Sequence, residues 1–179
     1  MGIRNYLIEG GSGTGKTTVA EELERRGYDV VHGDRTLAYY GHLRTGKAMQ
    51  APQFKDEADK VKWGYEHWIW PPDKVKALIA DHTHAISFFC GHSANSWQFI
   101  GLFDGVFVLE VDAETLSTRL AKRPEDEFGG RPIERELVMR LHEAREGLPQ
   151  NAVSIRGNAP VASVVDEILF GCTAAQADI

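Results

Sequence analysis

The sequence predicts an α/β fold, a parallel sheet flanked by helices, as a single domain over residues 1–179. Three observations carry that expectation. Segments of strand character alternate with amphipathic segments along the chain, the pattern of right-handed β-α-β crossovers. Residues 84–91, HAISFFCG, form an apolar run of the kind that suits a strand covered on both faces. Residues 10–17, GGSGTGKT, put a glycine-rich turn between a strand and a helix.

Taken in order, residues 3–9 (IRNYLIE) read as a strand that runs into glycines. Residues 16–26 read as a helix, with Val19, Ala20 and Leu23 as its apolar stripe and Gly27 as its stop. Residues 28–34 (YDVVHGD) read as the second strand, 84–91 as the third and 105–112 (GVFVLEVD) as the fourth. A helix is expected from 113 to about 123, capped by Asp112. The polar loop 124–131 (PEDEFGGR) follows, then a helix over 132–147 with Pro132 in its first turn. Residues 152–157 (AVSIRG) give a fifth strand and 160–170 a last amphipathic helix. The stretch 36–72 is the least regular. It is expected to hold one or two helices, the clearest over 56–70, and to determine substrate choice. Ligands of such sheets bind at the carboxyl ends of the strands, so the residues just after each strand are the candidates.

Composition narrows the function. With 179 residues, 42% hydrophobic and 26% charged, the chain can bury an ordinary core. A net charge of -6 argues against a general nucleic-acid binder but leaves room for a small anion held by local cations. No apolar run approaches bilayer length, and the start MGIRNYLIEGG lacks the features of a secretory leader, so no membrane association is expected. Cys90 and Cys172 lack metal-type spacing and read as reduced thiols of a cytoplasmic protein.

The glycine turn spells G-x-x-x-x-G-K-T, the P-loop pattern, and each position has a physical reason. Gly10, Gly11, Gly13 and Gly15, with Ser12 and Thr14, let backbone amides turn inward onto a phosphate, and the helix that follows adds the positive end of its dipole. Lys16 can reach the outer phosphates, Thr17 can ligate Mg2+ and Thr18 continues the phosphate-facing turn. The chain has no N-K-x-D, the guanine-reading sequence of GTP switches. Its one D-x-x-G match, Asp126 to Gly129, falls in a loop after a helix. The third strand ends in Cys90-Gly91 rather than the acidic pair usual in motor ATPases.

With these motifs in these positions, nearly the whole chain resembles the small P-loop kinases that act on nucleosides, nucleotides, shikimate and gluconate. The resemblance implies a three-layer fold with a five-stranded parallel sheet in the order 2-3-1-4-5. It also implies a substrate-binding segment at about 36–72 and a mobile lid at about 119–131. ATP and Mg2+ would be the cofactors, a small molecule the acceptor, and the protein a monomer or homodimer. Asp34, in HGDR, would touch the acceptor hydroxyl or the Mg2+ shell, and a carboxylate there can take a proton. Arg35 would either hold an anionic group of the acceptor or pair with Asp34. Arg119, Arg123 and Arg131, in and after TRLAKRPEDEFGGRP, would stabilise the transferring phosphoryl group. Gly157 and Asn158, with Ala159, would form the loop that rests on adenine, although Arg156 stands where the family often has aspartate.

Gly91 and His92 would face the acceptor, His92 either moving a proton or being an ordinary loop histidine. The aromatic stretch KWGYEHWIW (Trp63, Tyr65, Trp68, Trp70) is either a wall for a planar substrate or core packing. The seven-residue spacing of Trp63 and Trp70 favours the core for that pair. The alternatives in other classes are a nucleotide-binding regulator without phosphotransfer and an acceptor-independent ATPase.

Overall fold

The computed structural model describes residues 2–174. Its strands and helices, in chain order, are β1 (Gly2–Glu9), α1 (Lys16–Arg25), β2 (Asp29–His32), α2 (Gly33–Thr36), β3 (Tyr39–Tyr40), α3 (Glu57–Glu66), β4 (Trp68–Ile69), α4 (Pro72–Ile79), β5 (His84–Cys90), β6 (Gly105–Glu110), α5 (Ala113–Ala121), α6 (Pro132–Ala144), β7 (Val153–Arg156) and α7 (Val161–Ala174). Two 3-10 turns, Ser96–Gln98 and Ile100–Leu102, lie between β5 and β6. Among the described residues, no helix is long and apolar enough to cross a membrane.

The main sheet has the order β2-β5-β1-β6-β7 with every pair parallel. Counting only these five strands along the chain, that is the order 2-3-1-4-5 that the resemblance implies. The two-residue period of a strand sends alternate side chains to opposite faces. On β1, Tyr6 and Ile8 join Phe88, Phe107 and Leu109 beneath α1 and α7, while Leu7 joins Phe89, Trp70 and Val75 of α4 on the other face. Burial on both sides explains why residues 84–91 read as a largely apolar run: Phe88 and Phe89 are both fully buried, one to each face. A third cluster, Leu116, Leu120 and Val138, with Val111, seats α5 against α6. Cys90 and Cys172 are free and buried.

The fold departs from the sequence pattern in four places. The second strand ends at His32, and Gly33–Thr36 turn into a short helix, so Asp34 sits on a helical turn rather than at a strand end. Helix α3 stops at Glu66. Trp68 and Ile69 then pair with Tyr39 and Tyr40 as a small antiparallel ladder that the pattern does not predict. Because α3 ends first, Trp63 and Trp70 do not share a helix, and their spacing says nothing about a common face. Helix α4, opening with Pro72 in its first turn, is a further element outside the expected set, and α6 ends at Ala144, where Arg145 takes a left-handed φ of 51°.

Candidate active site

The glycine turn closes where β1 leaves the sheet. Gly13 (φ 84°) and Gly15 (φ 107°) occupy the left-handed region that side chains resist, which bends the turn back to the start of α1. The Thr14 hydroxyl donates to the Gly11 carbonyl at 2.9 Å and pins the bend. The Lys16 ammonium lies across the loop and donates to the carbonyls of Gly10 (2.7 Å) and Gly11 (2.9 Å). Burial lowers the pKa of Lys16, while Asp34 and Glu9 act in the opposite direction. Its partners are backbone oxygens alone.

One cavity of about 840 Å³ opens from this turn, a size typical of a small-molecule site. Gly11 to Thr18, Arg119 and Gly157 line one part of it. Arg119 donates to the carbonyls of Thr14 (3.1 Å) and, through its other terminal nitrogen, Gly157 (2.8 Å). The guanidinium therefore ties the glycine turn to the loop after β7, and it acts on the protein's own backbone. Hydrogen bonds from a charged donor contribute about 1.5–3 kcal/mol. Arg119→Ala is expected to lower stability by about 2 kcal/mol and to weaken nucleotide binding. Arg119→Lys should restore little, because an ammonium cannot fork between two carbonyls. Urea titration and nucleotide calorimetry check both effects. Asn158 turns its amide to Asp112 and Thr115, at the start of α5.

The other part of the cavity is lined by Asp34, Arg35, Tyr40, Trp63, Tyr65 and Trp68. Asp34 accepts the His92 backbone N–H at 3.0 Å. That contact is possible because residue 91 is glycine: a β-carbon there would meet Asp34 Oδ1 at 2.9 Å and the Trp70 ring at 2.6 Å. Arg35 does not pair with Asp34; among the described residues, neither Arg35 nor Lys60 has a carboxylate partner. His92 stacks on Tyr65, with ring centroids 4.8 Å apart and planes 9° from parallel. Burial, reinforced by Lys16, pushes its pKa down to about 4, so the imidazole is neutral at neutral pH. Of the four aromatics in the stretch 63–70, Trp63, Tyr65 and Trp68 line the cavity, while Trp70 is fully buried against Phe99.

The segment between α5 and α6 lies over the glycine turn. Ser12 donates to the Phe128 carbonyl at 2.9 Å. Arg123 lines the cavity and pairs with Glu127 at 3.0 Å. Arg131 pairs with Glu134 at 2.5 Å and with Glu57 of α3, so it links the segment to that helix. Glu134 is 6% exposed and also accepts the Gly129 N–H at 2.9 Å, which makes it the anchor of the segment. It stands three residues after Arg131 and two after Pro132, the third position of α6, and a glutamate there is the helix-start signal by which the sequence marks it.

In the sequence Glu9 is no more than an acid at a strand end. In the fold it is 1% exposed, and neither carboxyl oxygen has a hydrogen-bond partner. Burial, partly opposed by Lys16 and helped by Asp34, raises its pKa from 4.5 to about 8. Between those values the folded protein keeps a proton that the unfolded chain gives up, so stability falls as pH rises. His92 contributes the opposite slope between pH 4 and 6.5, where the unfolded chain holds the extra proton. From pH 6.5 to 8 only Glu9 of the two still contributes. Glu9 therefore pulls the melting temperature down across that interval, and Glu9→Gln is expected to shift the slope of melting temperature against pH upward relative to the parent. Thermal melts at half-unit pH steps check this.

A family model described as AAA domain matches residues 7–140. No curated protein matches the sequence. Among solved structures, a gluconokinase from Sinorhizobium meliloti is 18% identical, with a TM-score of 0.53 over 97% of this chain and 94% of that one. A deoxyadenosine kinase from M. mycoides, solved with bound dATP, is 16% identical, with a TM-score of 0.55 over 94% and 99%. TT1252 from Thermus thermophilus is 16% identical, with a TM-score of 0.57 over 97% and 98%. At these identities the likeness is one of fold.

Proposed function

The chain belongs to the AAA-domain family and has the fold of the small P-loop kinases, and on that premise we propose that it transfers the γ-phosphoryl group of ATP to a small acceptor. The acceptor class we favour is nucleoside-like, with the receiving oxygen on a hydroxyl or a phosphate. One observation carries the reading: the cavity does not end at the phosphate turn but continues into a chamber walled by Tyr40, Trp63 and Trp68. A nucleotide held at Gly11 to Thr18 leaves that chamber for a second substrate, which a plain ATPase does not need.

The roles follow from position. The amides of the turn and the start of α1 hold the phosphates. Lys16 leaves the Gly10 and Gly11 carbonyls for the β- and γ-phosphates. With a hydroxyl acceptor, the acceptor oxygen bonds to the γ-phosphorus, Asp34 receives the proton that the hydroxyl gives up, and the bridging oxygen leaves with ADP. Arg123 and Arg131, from the segment over the turn, place positive charge beside the transferring group. Gly91 and His92 shape the acceptor floor.

The donor set fits Mg2+, which takes one or two side-chain oxygens and completes its shell with phosphates. Thr17 and Asp34 both line the cavity and would hold it. When bound, the ion neutralises charge on the β- and γ-phosphate oxygens. Incubation with labelled ATP, Mg2+ and a panel of nucleosides, nucleotides and sugar acids tests the reading. Label transfer to one acceptor class supports it. Phosphate release indifferent to acceptor, or tight ATP binding without turnover on any acceptor, overturns it.

A further inference from the structure

We infer that Arg35 and Lys60 form an oxyanion subsite in the acceptor chamber, so that the acceptor is an anion held by its carboxylate or phosphate group. That the held molecule receives a phosphoryl group rests on the kinase reading; the subsite itself rests on charge and position. Six cationic side chains line the cavity, and four of them are already engaged. Lys16 donates to Gly10 and Gly11, and Arg119 to Thr14 and Gly157. Arg123 pairs with Glu127, and Arg131 with Glu134 and Glu57. Arg35 and Lys60 remain. Among the described residues, neither side chain has a hydrogen-bond or carboxylate partner.

Acids stand within local reach of both, and each is committed elsewhere. Asp34, beside Arg35 on α2, accepts the His92 N–H. One turn before Lys60, Glu57 is taken by Arg131, and Asp56 caps α3 through the Ala58 N–H. Lys62, on the same helix but outside the cavity lining, does find an acid, Glu66 at 3.7 Å. The helix thus pairs that lysine and leaves the one that lines the cavity free. The chain carries a net charge of -6, so two unpaired cations on one cavity run against the sign of the whole molecule. Such a local excess draws an anion into a cleft. Arg35 offers a planar fork that matches the edge of a carboxylate or phosphate, and Lys60 a mobile point charge. Both residues are exposed, so the core does not require them.

Paired probes separate charge from shape: thymidine monophosphate against thymidine, and gluconate against glucose. Binding is read by tryptophan fluorescence, since Trp63 and Trp68 line the chamber. Saturating Mg2+ and ADP keep the probes off the glycine turn. Transfer is read separately with labelled ATP. In at least one pair the anion is expected to bind about tenfold tighter than its neutral partner, and the pair that shows it tells phosphate from carboxylate. Arg35→Gln and Lys60→Gln should each raise the dissociation constant of that anion about tenfold, and the double variant should abolish the preference, with the neutral partner held within about twofold. Melting temperatures should stay within about 2 °C of the parent, because both positions are exposed. A parent in which neither anion binds more tightly than its neutral partner overturns the inference. So does a loss that is equal for anion and neutral probe, or an anion preference that survives in the double variant. Transfer to thymidine or glucose without an anion preference overturns the subsite and leaves the kinase reading intact. Charge-dependent binding without transfer to any acceptor upholds the subsite and removes the kinase.

Discussion

Replacement of Lys16 by alanine is expected to reduce acceptor-dependent phosphoryl transfer by about 10³-fold, with the fold retained. The size follows from where charge develops. The γ-phosphoryl group spreads negative charge over its oxygens, and a preorganised donor in a site that excludes water is worth several kcal/mol there. Lys16 is the cation the phosphate turn is built around, since its ammonium already lies against Gly10 and Gly11. Moving it onto a phosphate costs two hydrogen bonds to neutral carbonyls and gains contacts to anionic oxygens. The loss should fall mainly on kcat, with nucleotide affinity weakened less, because the turn's amides remain. Steady-state kinetics with saturating acceptor, beside nucleotide calorimetry, separate the two. Transfer by Lys16→Ala within tenfold of the parent would sink the assignment of this turn as the reacting centre.

Replacement of Trp70 by alanine is expected to have the largest effect on stability, about 3–5 kcal/mol, or roughly 10 °C in melting temperature. Trp70 is fully buried, stacked on Phe99 with planes 1° apart, and its backbone N–H is held by Ser93 and Asn95 at 3.0 Å each. The ring underlies both Gly33 and Gly91. Those glycines flank the contact between Asp34 and the His92 N–H, so the cavity left by truncation lies directly below the proposed proton acceptor. Trp70→Ala should therefore lose turnover beyond what its unfolded fraction explains. Trp70→Phe, which keeps a ring in place, should recover most of the stability. Urea titration with kinetics well below the melting point tests both. A truncated variant with full turnover would show that Asp34 does not depend on this support.

How much of the molecule is legible in its sequence depends on the range of the interactions. The phosphate turn is made within residues 10–17, by backbone dihedrals that glycine permits and by hydrogen bonds no longer than the turn itself, so residue type and spacing suffice to name its members. The same holds for Asp112, which caps α5 through the Thr115 N–H, and for Pro132 at the start of α6. The acceptor chamber is only half visible. Its aromatic stretch stands out, but β3 and β4 are two residues each, too short for any period to register.

The sequence by itself determined the five-stranded frame and the glycine turn, because each is set by local pattern and by strands that need apolar residues on both faces. The tertiary structure alone decided what each distant side chain does. It put Arg119 on the backbone of Thr14 and Gly157, joined Arg131 to Glu57, buried Glu9 without a hydrogen-bond partner, and divided the tryptophans between core and cavity. Those outcomes rest on contacts between residues far apart in the chain, and residue type and spacing do not carry the positions of both partners.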